Sequence, residues 1–148
     1  EELASADCPF IILLHPRTRK ALHRHKRKGQ LNPHVQLLSP ASYLDMIALE
    51  AHAKVILTDS GGIQKEAFFT NVPCVTLRDE TEWIETVEAG WNHLGGTDPK
   101  GIVDAFQKAT DSLPKEQLEF FGNGKASDFM LNELLSYQSS PPHSTKET

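Results

Sequence analysis

Cysteine is scarce in this chain: Cys8 and Cys74 are the two among 148 residues. Neither stands in a C-x-x-C or metal-ligand spacing, so neither a disulfide scaffold nor a cysteine-based metal centre is expected. Both adjoin apolar, strand-like runs, and they read as buried free thiols. Nothing in that usage calls for an oxidising compartment. Long apolar runs are missing too, and those present are far too short to cross a bilayer, so no membrane partner is expected. The opening residues lack the basic start and apolar stretch of a signal peptide, which points to a cytoplasmic protein. There is no initiator methionine, so a processed or partial product is expected. Net positive charge is absent: the formal balance is −5, which argues against a broad nucleic-acid surface. Neither a Walker loop nor a G-x-G-x-x-G fingerprint occurs, and there is no internal repeat. No residue pattern asks for a metal or another cofactor.

What remains is ordinary for one globular domain, at 39% hydrophobic and 24% charged. Short apolar runs alternate with longer amphipathic stretches. Residues 10–14 form a continuous apolar run ending at His15-Pro16, the pattern of a strand buried on both faces. A basic helical stretch follows over residues 17–28 and stops at Gly29. It holds Arg17, Arg19, Lys20, Arg24, Lys26, Arg27 and Lys28, with His15, His23 and His25 at or near them. That face reads either as a solvated helix side or as an attractor of phosphate. Further strands are expected at 35–38, 55–58, 74–77 and 91–94. Helices are expected after Ser39-Pro40, from residue 60 to about 69, and over 81–89, 98–110 and 126–137. Ser39 would cap the second helix, with Pro40 in its first turn. Tyr43, Leu44, Ile47, Ala48 and Ala51 would lay that helix on the core. Residues 139–148 are polar, carry two prolines, and read as a disordered tail. Strands alternating with helices predict an α/β fold, a three-layer Rossmann-like parallel sheet with ligands at the carboxyl ends of its strands.

The chemistry concentrates where the third strand meets its helix, at Asp59-Ser60-Gly61-Gly62. Two glycines let the backbone turn tightly and approach a ligand closely. The first N–H groups of the following helix lack internal partners and, with the helix dipole, favour an anion such as a diphosphate. Ser60 adds a hydroxyl. Glu66, well into the helix, could accept from two ribose hydroxyls. On spacing alone, a plain strand-to-helix turn capped by Asp59 or Ser60 fits equally well.

The wider pattern adds a resemblance. Thr58-Asp59-Ser60-Gly61-Gly62-Ile63-Gln64-Lys65-Glu66-Ala67 resembles the TDSGG-I-Q-x-E-A signature of the non-hydrolysing UDP-N-acetylglucosamine 2-epimerases. Four further segments resemble that family in order and distance. They are His15-Pro16-Arg17-Thr18, Pro40-Ala41-Ser42-Tyr43, the stretch from Arg78 through Thr81-Glu82-Trp83 to Gly90, and Gly122-Asn123-Gly124-Lys125-Ala126. Together they cover residues 9–137.

The resemblance implies one lobe of a two-lobed glycosyltransferase-B-type fold: the C-terminal, UDP-binding lobe over residues 1–138, with its N-terminal partner lobe missing. Carried over by position, Ser60, Gly61 and Gly62 would hold the diphosphate and Glu66 the ribose. Ala41 and Met46 stand where the family places uracil-side contacts, although Met46 reads equally as a core residue. His15 is a further candidate ligand contact, or simply part of a strand-ending turn. The implied ligand is a UDP-N-acetyl sugar. The implied reaction is isomerisation at C2, by elimination of UDP to a glycal and re-addition on the other face, in the service of cell-envelope polysaccharide biosynthesis. A homodimer is implied for the full enzyme.

Two departures from the family pattern matter. Many members carry arginine where this chain has Trp83, so a guanidinium contact is lost or replaced by stacking. That suggests a subgroup with a different sugar, such as a 2,3-diacetamido glucuronate. The HRREN motif, which supplies a key histidine, does not occur here. The family's catalytic carboxylates come from the other lobe, so no catalytic residue is assigned and the isolated chain is expected to be inactive. The alternatives are a non-catalytic UDP-sugar-binding module and a glycosyltransferase lobe.

Overall fold

A computed structural model describes residues 3, 8–24, 32–111, 114 and 120–138. These fall into two compact units, Glu1–Glu116 and Gln117–Thr148.

The first unit is built on five short parallel strands. β1 (Phe10–Leu13) pairs with β2 (Val35–Leu38), Phe10 opposite Val35 and Leu13 opposite Leu38. β3 (Ile56–Thr58), β4 (Cys74–Thr76) and β5 (Asn92–Leu94) form a second ladder in that order. The expected parallel sheet is therefore present, as two hydrogen-bonded ladders among the described residues. Helices α1 (Pro16–Arg24), α2 (Tyr43–Ala51), α3 (Gly61–Phe69), α4 (Ile84–Glu88) and α5 (Pro99–Asp111) follow the strands in turn.

The second ladder is covered on both faces, because neighbouring strand residues point to opposite sides. Ile56 and Cys74 pack with Ala67 and Val72 on the α3 side. Val75 packs with Ala105 and Ala109 on the α5 side, joined by Val55, Leu57 and Leu77. This is the three-layer α/β arrangement, and its core sits around β4, whose three residues are all buried.

The first ladder differs from expectation. Ile11 and Ile12 are exposed, so β1 is not buried on both faces. A continuous apolar run cannot tell a central strand from one in a two-strand ladder with open faces. Only Leu14, just past the strand, is fully buried.

Helix α2 also departs. Ser42, not Ser39, is its N-cap: the hydroxyl accepts from Asp45 N–H at 3.3 Å and donates to Asp45 Oδ2 at 2.7 Å. Ser39 instead accepts from Arg19 Nη2. Tyr43, Leu44, Ala48 and Ala51 are exposed, while Met46, Ile47 and Leu49 are half-buried and Glu50 is buried. Apolar residues lie all round this helix, so their spacing does not select a face.

Other boundaries moved less. α4 is shorter than the predicted 81–89, because Thr81 Oγ1 accepts from Trp83 N–H and turns the chain before the helix begins. Gly90, at φ 77°, ends α4 as expected, and Trp91 N–H returns to Thr86 O in the Schellman manner. Asp98 caps α5 through the N–H groups of Lys100 and Gly101, with Pro99 in first position. In the described part of α1, Arg17, Arg19 and Lys20 are solvent-exposed. Residues 25–28 of the basic stretch, with its stop at Gly29, lie outside the described residues, as does the 139–148 tail. The second unit contains α6 (Ala126–Gln138), which carries Phe129, Met130, Leu131, Leu134 and Leu135 at exposed positions. Among the described residues, no helix is long and apolar enough to cross a membrane.

Candidate functional site

Parallel strands put their carboxyl ends on one edge of the ladder, and three loops leave it side by side. Leu77 N–H bonds to Thr58 O and Gly95 N–H to Thr76 O, tying the start of the loop after β4 to the end of β3 and the start of the loop after β5 to the end of β4. At the first of these loops the chain passes from Thr58 through Asp59 and Ser60 into α3.

Ser60 is the N-cap residue in extended conformation, but its hydroxyl makes no capping bond. Its N–H donates to Thr58 Oγ1 at 3.1 Å, and its carbonyl receives Gln64 N–H. The hydroxyl therefore lies at the exposed mouth of the helix without making a side-chain capping bond. The opening N–H groups of α3 cannot be satisfied within the helix and carry its positive dipole end. Gly61 is half-buried beneath the loop after β4: a Cβ there would collide with Glu82 Oε1 and lie 3.2 Å from Trp83 Nε1. Gly62 is exposed, and its nearest neighbour would be Ser60 Oγ at 3.7 Å.

Glu66 lies one turn beyond Gly62 and is half-buried. It faces Glu50 of α2, a residue that no sequence motif singles out. Glu50 is 3% exposed, and neither of its carboxylate oxygens has a hydrogen-bond partner. Burial, with repulsion from Glu66 second, pushes its pKa up to about 7. Glu50 also acts on Cys74, whose thiol is pushed up to about 12, chiefly by burial. Cys74 is a buried free thiol as expected, whereas Cys8 is only half-buried.

The other candidate residues lie elsewhere in the first unit. Ala41 lines an open groove of about 540 Å³ with Leu13, Leu38, Asp45 and Leu49. Met46 sits half-buried on α2 and does not line that groove. His15 is exposed past the end of β1, its Nδ1 accepting from Arg17 N–H at 3.3 Å. The structure thus brings Ser60, Gly61, Gly62 and Glu66 together on α3 and leaves Ala41, Met46 and His15 outside that turn. Among the described residues, no three His, Cys, Asp or Glu side chains gather to hold a metal ion.

Comparison with known proteins decides the family. A family model described as UDP-N-acetylglucosamine 2-epimerase matches residues 1–135. The chain belongs to the UDP-N-acetylglucosamine 2-epimerase family. A UDP-N-acetylglucosamine 2-epimerase homolog from Methanococcus maripaludis is 47% identical over 120 residues, covering 80% of this chain and 33% of the relative. The UDP-2,3-diacetamido-2,3-dideoxy-D-glucuronate 2-epimerase of Pseudomonas aeruginosa is 42% identical over 126 residues, covering 85% and 34%. The crystal structure of Methanocaldococcus jannaschii UDP-GlcNAc 2-epimerase in complex with UDP-GlcNAc and UDP matches with TM-score 0.76 and 38% identity, over 88% of this chain and 36% of that one. The chain spans about a third of the length of these relatives, and its α/β fold corresponds to one lobe of such epimerases.

Within this epimerase-family lobe, a buried polar network fixes the loop over α3. Gln64, at 1% exposure, accepts at Oε1 from Thr81 Oγ1 (2.6 Å) and Asn92 Nδ2 (3.1 Å). Asn92 Oδ1 accepts from Thr76 Oγ1 at 2.7 Å, and its Nδ2 also reaches Thr86 Oγ1. Thr86 in turn donates to Trp83 O. Helix α3, strands β4 and β5, helix α4 and the 81–83 loop are thereby tied through two amides, those of Gln64 and Asn92. The motif quoted above contained Gln64, but spacing alone did not reveal its partners. The Trp83 ring carries the Lys65 ammonium 4.4 Å from its centroid. Stacking therefore places a cation beside the turn.

Proposed function

We propose that this chain is the C-terminal, UDP-binding lobe of a UDP-N-acetylglucosamine 2-epimerase. Ser60, Gly61 and Gly62 take the diphosphate and Glu66 the ribose. Ala41 and Met46 serve the uracil side, and His15 stands as an outlying ligand contact. The observation that carries this reading is the α3 opening: a glycine pair at the carboxyl edge of a parallel ladder, with Ser60's hydroxyl unused as a cap. Family membership supports UDP as the anion. The full enzyme would invert C2 of a UDP-N-acetyl sugar by eliminating UDP and adding it back on the other face. That chemistry needs an acid and a base at C2, which we place on the remaining two thirds of the enzyme's length. We place the protein in the cytoplasm, and in the full enzyme as a homodimer. Trp83, together with the 42% identity to a diacetamido-glucuronate epimerase, favours an acidic sugar as a second reading of the substrate.

Calorimetric titration of the chain with UDP, UMP and uridine tests the assignment. Weak UDP binding that falls tenfold or more on losing the β-phosphate is expected, with no epimerisation by the chain alone. Equal affinity for UDP and uridine, or no UDP binding at millimolar concentration, contradicts it.

A further inference from the structure

The opening turn of α3 already faces an anion supplied by the chain. Glu82 projects from the loop after β4, and its Oε1 fills the space a Cβ on Gly61 would need, with its Cδ 3.1 Å from that position. Its Oε2 accepts from Arg78 Nη1 at 3.3 Å, so one carboxylate lies between Gly61 and a guanidinium. The backbone beneath it is fixed, because Thr81 is bonded to Gln64 and Trp83 N–H to Thr81 Oγ1. The side chain is not: Glu82 is 48% exposed and Arg78 39%, so both can turn without moving the loop.

A carboxylate at a helix N-terminus is favoured by the dipole and by the unsatisfied N–H groups. Here that carboxylate comes from a separate segment and lies against Gly61, in the first turn that the proposed diphosphate would approach. We propose that Glu82 is a built-in competitor for the phosphate position, and that Arg78 is the cation a diphosphate gains when Glu82 is displaced. This rests on the reading of the α3 opening as a diphosphate site. A diphosphate carries more charge and more acceptor oxygens than one carboxylate, so it displaces Glu82 and meets Arg78 in its place. Lys65, held on the Trp83 ring, adds a second cation on the same side. Glu82 thereby lowers affinity for every anion and leaves ligands without phosphate unaffected.

The test is calorimetric titration of UDP and of uridine into the wild-type chain, Glu82→Gln, Glu82→Ala, Arg78→Gln and the Glu82→Gln/Arg78→Gln double variant, with far-ultraviolet dichroism confirming the fold of each. Both Glu82 variants are expected to bind UDP about three- to tenfold more tightly than wild type, with uridine affinity unchanged. Arg78→Gln should weaken UDP binding, and by a larger factor in the Glu82→Gln background, where Arg78 has lost its internal partner. If wild type binds UDP and the Glu82 variants bind it equally or more weakly, the competitor role is overturned and the diphosphate site stands. If neither wild type nor variants bind UDP at millimolar concentration, both fail.

Discussion

Thr81 donates its hydroxyl to Gln64 Oε1 at 2.6 Å, across an interface between the loop after β4 and the second turn of α3. The same oxygen receives Asn92 Nδ2, so three chain segments meet on one buried amide. Gln64 Nε2, on the other side of that amide, is buried without a hydrogen-bond partner. Asn92 is 1% exposed and Thr76 and Thr86 are fully buried, so each lost bond would strand a polar atom away from water.

Asn92→Ala should therefore destabilise the fold by about 2–3 kcal/mol, well above the typical single substitution. Urea unfolding followed by dichroism measures it. A loss under about 0.5 kcal/mol would show that the network does not hold the loop.

Glu50 gives a pH dependence whose sign is fixed. Its folded-state pKa, about 7, lies above the ordinary carboxylate value of 4.5. The native state thus favours the protonated form, and the stability this group contributes is fully present below about pH 4.5. It is lost as pH rises through 7. Glu50→Gln keeps the shape and removes the charge, so it should raise the melting temperature by several degrees at pH 8 and change it little at pH 4.5. Equal shifts at the two pH values would contradict this origin.

Gly61 separates binding from folding. An added Cβ meets the flexible end of Glu82 and the Trp83 indole rather than backbone. Gly61→Ala should keep stability within about 1 kcal/mol of wild type and weaken UDP binding about tenfold or more. Parallel melting and calorimetry measure both. Equal losses in the two would make the glycine purely structural.

Glu66→Gln should leave the fold intact and weaken UDP binding about two- to fivefold, since an amide oxygen accepts less strongly than a carboxylate. Unchanged affinity would remove Glu66 from the ribose role.

The sequence made the ladder-and-helix order plain, because the apolar runs at 10–14, 55–58 and 74–77 alternate with helical stretches. It also located the α3 opening, since paired glycines after a strand leave few structural choices. It did not reveal that Ile11 and Ile12 are exposed, because a run of apolar residues carries no information about how many layers cover it. Nor did it mark Glu50: one carboxylate in an apolar helix looks like the solvent side until α3 packs over it. Gln64, Thr81 and Asn92 were invisible as a set, since their bonds link residues far apart in the chain. Trp83 stands out in the sequence, but only the structure shows Lys65 over its ring.

Backbone amide shifts on adding UDP test the diphosphate site most directly. In ¹H–¹⁵N spectra of the labelled chain, titrated with UDP and separately with uridine, the largest UDP-specific changes should fall on Ser60, Gly61, Gly62 and Ile63. Changes confined to the groove beside Ala41, or no movement of those four amides at millimolar UDP, would contradict the assignment.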